Sequence, residues 1–228
     1  SSYESEVWRM TNEFILEDRL TKIRSVIAQY GEENFYISFS GGMDSTVVSA
    51  LVDMALPKNI IPRVFADTGI ELNIVRKFVY DKQEHDGRVV ILTPKASVKR
   101  ALEENGYPFK SKYHSVILDI YQRRGMDSVS VRTYMQTEPP RSGIRKHTEH
   151  LCPNILKHQF TPEYSLKVSS KCCNILKKEP IKRWQKVTGK KYAILGLMAS
   201  EGGQRESVKC LAFQRNKFVA FQPLAVLN

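Results

Sequence analysis

Residues 40–46 read Ser40-Gly41-Gly42-Met43-Asp44-Ser45-Thr46 and directly follow the apolar and aromatic run 35–39. A buried strand, a tight glycine turn and a helix start, in that order, make a cradle for phosphate. Two adjacent glycines permit positive φ and let backbone N–H groups come close to an anion. The hydroxyls of Ser40, Ser45 and Thr46 add donors, the helix N-terminus adds partial positive charge, and Asp44 is placed to cap that helix. The turn is not a Walker A loop, because no Gly-Lys-Ser/Thr follows at the required spacing. It is not a nucleophile elbow, because Ser40 lacks the flanking glycines. The chemistry expected of it is capture of the charged end of a nucleotide.

Three further groups of residues carry chemistry. Asp67-Thr68-Gly69 ends a second strand-like run, and it reads either as a plain strand-to-helix turn or as a second edge of a nucleotide site. Arg205 closes a loop that begins at Met198, and an arginine there can grip phosphate or sulfate as a bidentate fork. Cys172 and Cys173 are adjacent, with Cys152 before them and Cys210 after. Their spacing leaves open a cluster, a zinc site or reduced structural thiols. His114, His147, His150 and His158 have no carboxylate or cysteine at zinc-site spacing and read as surface histidines.

The elements that must hold these residues alternate. Apolar residues at helical spacing predict one long helix over 7–30, stopped by Gly31. Strands are expected at 34–39, 60–66 and 88–92, with helices to residue 54, over 71–84 and over 96–105. A further strand is expected at 191–197. Such alternation argues for a doubly wound, mostly parallel α/β sheet of five strands with helices on both faces. Ligands then sit beyond the carboxyl ends of the strands, where the strand order reverses, so the glycine turn and Asp67-Thr68-Gly69 should line one crevice. The expected organisation is an N-terminal helix over 1–33 and a nucleotide-binding domain over 34–228. An irregular helical and loop insertion is expected at about 107–170.

The hexapeptide Ser40-Gly41-Gly42-Met43-Asp44-Ser45 resembles the signature of the PP-loop ATP pyrophosphatases and the related sulfonucleotide reductases. Asp67-Thr68-Gly69 resembles the reductases' Asp-Thr-Gly after the second strand. Lys171-Cys172-Cys173 through Lys178-Glu179-Pro180, and the strand leading through Gly196 to Arg205, are similar to later blocks of the same family. The sequence is thus identified as a member of the phosphoadenosine phosphosulfate (PAPS) reductase family, with an adenine-nucleotide α-hydrolase-like fold. The resemblance implies a nucleotide site of Ser38, Ser40, Gly41, Gly42, Asp44, Ser45, Thr46, Asp67, Thr68, Gly69, Lys178, Gly196 and Arg205, with Asp44 and Arg205 catalytic. It implies PAPS or adenylyl sulfate as ligand and a thioredoxin-like reductant. Cys172, Cys173 and Cys210 are the residues it offers to a [4Fe–4S] cluster or zinc.

Two departures keep a second chemistry open. Met43 stands where many reductases carry lysine, and the family's C-terminal region with its reactive cysteine has no counterpart before Asn228. Met43 is more typical of enzymes that cleave ATP between the α- and β-phosphates, here with Mg²⁺ held through Asp44. The acceptor would then be a nucleic acid destined for sulfur insertion, as in DNA phosphorothioation or tRNA thiolation. A nucleotide-binding module without turnover is the third alternative.

Bulk properties agree with a globular enzyme. The chain has 228 residues, is 42% hydrophobic and 26% charged, and carries a formal net charge of +11. Residues 141–191 hold 13 Lys and Arg against three Glu, a field that attracts nucleotides or nucleic acid. No apolar run reaches transmembrane length and the polar start is no export signal, so a cytoplasmic setting with reduced thiols and no membrane partner is expected. The long first helix offers a packing face or a homo-oligomer contact.

Overall fold

The computed structural model describes residues 2–136, 151–198 and 209–225, with side chains from residue 11 onward. By contacts the chain divides into two units, Ser1–Thr93 with Ile181–Asn228, and Pro94–Pro180.

In the first unit, helix α1 (Ser2–Tyr30) stops at Gly31, whose φ of +82° an L-residue rarely adopts. Then come β1 (Phe35–Ser38), α2 (Met43–Ala55), β2 (Arg63–Ala66), α3 (Asn73–His85) and β3 (Val89–Leu92). The fold class is the expected one. Strands β1 to β3 pair in parallel with β4 (Tyr192–Ile194) and β6 (Lys217–Phe221), in the order β3-β2-β1-β4-β6-β5. The strand count differs from expectation, six instead of five. β5 (Leu211–Gln214) folds back on β6 as an antiparallel hairpin through Arg215 and Asn216, both at positive φ. That two-residue turn carries no glycine, so the usual hairpin signal is missing.

Helices cover both faces. Leu20, Ile23, Val26 and Ile27 of α1 and Val48, Leu51 and Val52 of α2 share one core cluster with Phe35, Ile37, Ile194 and Phe221 of the sheet. Opposite them, Val79 of α3 packs with Phe39, Phe65 and Val89, and Trp184 meets Tyr36 edge-on at 5.5 Å. Arg63, fully buried, is held by Ser49, Asn59 and Asp53, the last at 2.6 Å. Arg88 also reaches Asp53, at 2.7 Å, and pairs with Asp86 at 2.8 Å. The hydrogen bond from Arg88 is the main cause holding Asp86 down at about 2.

The second unit contains α4 (Val98–Asn105), α5 (Lys112–Arg124), α6 (Val129–Met135) and α7 (Lys171–Cys173). Ser97 and Ser111 cap α4 and α5, each accepting from a first-turn amide. A π-helical turn, Asn174–Lys178, carries α7 into α8 (Glu179–Thr188), within which the division between the units falls.

His114 is not the surface residue expected. It is fully buried, with Nδ1 accepting from the Tyr134 hydroxyl at 2.8 Å and Nε2 donating to Gln159 Oε1 at 2.7 Å. Burial lowers its pKa from the ordinary 6.5, so the folded state holds it neutral more firmly than the unfolded chain does. The stability it confers is complete above about pH 6.5 and is lost as pH falls through the lower folded-state pKa. Urea unfolding at about pH 7 and pH 5 checks this, since the loss at the lower pH should shrink in His114→Gln. An equal pH dependence in both proteins would disprove it.

Candidate functional site

The glycine turn lies beyond the carboxyl end of β1, next to the carboxyl end of β4, where the strand order reverses. A cavity of about 280 Å³ opens there, lined by Ser38, Ser40, Gly42, Met43, Asp44, Ser45, Leu195, Gly196 and Leu197. Seven of the predicted residues therefore come together from two separate stretches of chain, namely Ser38, Ser40, Gly42, Asp44, Ser45, Gly196 and, folded into the same turn, Gly41.

The two glycines of the turn do different work. Gly41 has φ +72°, while Gly42 at φ −83° is in ordinary extended backbone and serves as the N-cap of α2. The expectation of positive φ at both is thus half right. An added Cβ on Gly41 would lie 2.7 Å from Val79 Cγ2 and 2.9 Å from Val75 Cγ1, so α3 packs directly on the turn.

Gly196 has its own reason. Its added Cβ would fall 2.8 Å from the Asp44 carbonyl carbon and 3.0 Å from Ser45 N. Only glycine lets the end of β4 press against the first turn of α2.

The hydroxyls are organised differently from expectation. Ser45 Oγ donates to the Gly42 carbonyl at 3.0 Å and accepts from Ser40 N at 3.2 Å. Thr46 Oγ1 also donates to the Gly42 carbonyl, at 2.9 Å, and Ser40 Oγ accepts from Gly42 N at 3.3 Å. The protons of Ser45 and Thr46 hold the turn and do not point at a ligand. Asp44 is not the cap but a first-turn residue of α2, half-exposed at the cavity wall. The cap position has no side-chain acceptor. The first three amides, of Met43, Asp44 and Ser45, lie before any intrahelical bond can form, and Thr46 N is the first to find one, at Gly42 O. The N-terminal turn of α2, with its dipole, therefore borders the cavity, an arrangement that can take an oxyanion.

Asp67, Thr68 and Gly69 sit at the carboxyl end of β2, but they are absent from the cavity lining among the described residues. Asp67 is buried and takes Arg76 at 2.8 Å, Tyr80 at 2.8 Å and Gly69 N at 3.0 Å. Burial pushes its pKa up, and these hydrogen bonds more than reverse that, leaving the carboxyl below its ordinary range. Thr68 is occupied by Glu71 through both its amide and its hydroxyl. The crevice shared with the glycine turn does not form at the level of side chains. This segment closes on itself and supports α3, whose Arg76 and Tyr80 no local motif advertised.

Lys178 belongs to the second unit, in the π-helical turn. Arg205, His147 and His150 lie outside the described residues. All four cysteines are free thiols. Among the described residues no three His, Cys, Asp or Glu side chains gather as a metal-holding group. Cys172 and Cys173 are successive helix residues of the second unit, and Cys210 belongs to the first. Burial pushes the Cys152 and Cys210 thiols up, away from the thiolate. No described helix is long and apolar enough to cross a membrane.

A stretch of 63 residues is 41% identical to the glutamine-hydrolysing GMP synthase of Thermosipho africanus (strain TCF52B), covering 28% of this chain and 11% of that enzyme. The chain thus spans a small part of the curated relative it matches. A phosphate complex of phosphoadenylyl-sulfate reductase from Candida auris is 12% identical with a TM-score of 0.41, over 90% of this chain and 77% of the other. FMN adenylyltransferase from Candida glabrata is 12% identical with a TM-score of 0.47, over 93% and 52%. Residues 34–152, from the residue before β1 to the buried Cys152, match the phosphoadenosine phosphosulfate reductase domain. That match spans more than half of the sequence and includes the glycine turn and the first three strands, and by it the chain belongs to the PAPS reductase family.

Proposed function

We propose that the protein is an enzyme that binds an adenine nucleotide with its anionic end on the first turn of α2, and that its substrate is a sulfonucleotide, PAPS or adenylyl sulfate. The observation that carries this reading is the N-terminal turn of α2, without a side-chain cap, lining a cavity at the sheet's switch point. Ser40, Gly41, Gly42, Ser45, Thr46 and Gly196 shape that turn, Ser38 lies at its entrance, and Arg205 grips the outer oxygens. Family membership supports reductive cleavage to sulfite and an adenosine phosphate, with a thioredoxin-like protein as electron source.

A second reading has a specific observation behind it. The described cavity lining contains no Lys or Arg, and Met43 is 78% exposed where a cation would neutralise the anion. Asp44 on the cavity wall fits a water-mediated hold on Mg²⁺, which would supply that charge if the ligand is ATP. The protein would then cleave ATP between its α- and β-phosphates and adenylate an acceptor. The local likeness to a GMP synthase, an enzyme that makes a nucleotide, agrees with this.

A thermal-shift panel of ATP with Mg²⁺, adenylyl sulfate and PAPS separates the readings. A ligand at 100 times its Kd stabilises by about 2.7 kcal/mol, a rise of roughly 5–10 °C for a chain of this size. A shift with a sulfonucleotide and sulfite release in the presence of thioredoxin is the expected result. A shift with ATP and pyrophosphate release carries the second reading instead. Binding without turnover leaves a nucleotide-sensing module, and no shift with any nucleotide removes all three.

A further inference from the structure

The second unit carries its own cavity, of about 770 Å³, lined by α5 and the segment that leads into α7. Arg123, Lys167 and Lys171 line it, with Asp119 as its one acid, and Tyr121 and Tyr164 supply rings. We propose that this cavity holds a stretch of single-stranded nucleic acid, its phosphates on the three cations and a base against a tyrosine. The inference deepens the ATP-cleaving reading by naming where the acceptor sits, and it rests on that reading only for the acceptor's fate.

The chain's charge surplus falls mostly on this unit's sequence. Residues 94–180 contain 16 Lys and Arg against eight Asp and Glu, whereas the rest of the chain has 19 against 16. A net surplus of eight on one unit is a field for a polyanion, stronger than a single small phosphate requires. The cations have room to serve. Arg123 pairs with Asp119 at 2.8 Å and Lys171 with its other oxygen at 3.5 Å, so one carboxylate holds two cations that are about half exposed. Lys167 donates to the Glu104 carbonyl, which retains its charge.

The cavity wall is also built to keep its shape. Gln122 donates to the Leu166 carbonyl at 2.7 Å and accepts from Val168 N at 3.1 Å, fixing the segment that bears Lys167 against α5. Tyr107 brackets the same segment, donating to Lys167 O at 2.9 Å and accepting from Ser169 N at 3.0 Å. Tyr121 and Tyr164 are half-buried against the unit's core cluster, so their rings are held firm while they line the cavity. Rigid rings beside cations are the combination that takes unpaired bases and backbone together. A volume within the usual range for ligand pockets, about 300–1,000 Å³, admits such a segment.

The test is fluorescence anisotropy of the full chain with a labelled single-stranded RNA or DNA of about 12 nucleotides, in the absence of any adenine nucleotide. Binding is expected to weaken steeply between about 50 and 200 mM salt. Lys167→Gln with Lys171→Gln should lower the logarithmic salt slope by about 1.4, at about 0.7 per lost contact. Tyr164→Ala should weaken binding about tenfold with the slope unchanged. Lys182→Gln with Lys186→Gln, on α8 in the other unit, should leave the affinity as it was, and the charge-keeping Lys171→Arg should also bind as wild type does. Circular dichroism of each variant shows that it is folded. The proposal is overturned if the strand does not bind, if the α8 pair weakens binding as much as the cavity pair, or if inorganic phosphate alone occupies the site while the strand does not. Because no nucleotide is present, failure here leaves the site on α2 untouched, and loss of nucleotide binding on α2 leaves this result untouched.

Discussion

Gly196→Ala is expected to weaken binding of the preferred adenine nucleotide by about tenfold or more, the equivalent of about 1.4 kcal/mol lost at the cavity wall. The new methyl would meet backbone at 2.8 Å, at the carbonyl carbon of Asp44, and backbone cannot swing aside as a long side chain can. Either the segment Leu195 to Leu197 retreats from α2 or the first turn of α2 moves. Both outcomes disturb the cavity wall, which Leu195, Gly196 and Leu197 share with the first turn of α2. Overpacking of this kind costs about 1–3 kcal/mol of stability, so the variant should remain folded while its affinity collapses. Titration calorimetry of wild type and variant with the same nucleotide decides it. An affinity within about twofold of wild type would show that the approach of β4 to α2 has no part in the site.

The second large effect lies at the opposite end of the sheet. Asp53→Ala should destabilise the protein by about 3 kcal/mol, because it strips a fully buried Arg63 of its one carboxylate pair among the described residues. The low end of the usual range applies, since Asp53 itself is 36% exposed and water partly replaces it. For a chain of this length the melting temperature should fall by roughly 6–12 °C. The double variant Asp53→Ala with Arg63→Met should recover much of the loss, since an apolar replacement leaves no uncompensated charge. A melting temperature for Asp53→Ala within about 2 °C of wild type would show that Ser49, Asn59 and the backbone suffice for Arg63.

The alternation of strands and helices was legible because β1 to β3 are short apolar runs with clear punctuation, and a parallel sheet follows from that pattern. The hairpin of β5 and β6 was hidden, because its turn uses Arg215 and Asn216 at positive φ instead of glycine. Within the site, the sequence motif located the turn but not the labour within it. Residue types cannot reveal that the Ser45 and Thr46 hydroxyls face inward to Gly42, or that Gly42 and not Asp44 occupies the cap. Gly196 was legible as a family position, while its physical reason, contact with the backbone of Asp44, needed the fold. His114 was misjudged, and the partners of Asp67 were missed, for the same cause. Their partners Arg76, Tyr80, Tyr134 and Gln159 are distant in sequence, and pairing of that kind has no local pattern.

The bonds that close residues 40–46 on themselves have a consequence for recognition. Ser40, Gly42, Ser45 and Thr46 fix the loop's form before any ligand arrives. Little chain freedom remains to be surrendered on association, so complementary anions gain affinity without a closing motion. On the proposed reading, selectivity among anions would come from fit to a preformed loop and from charge.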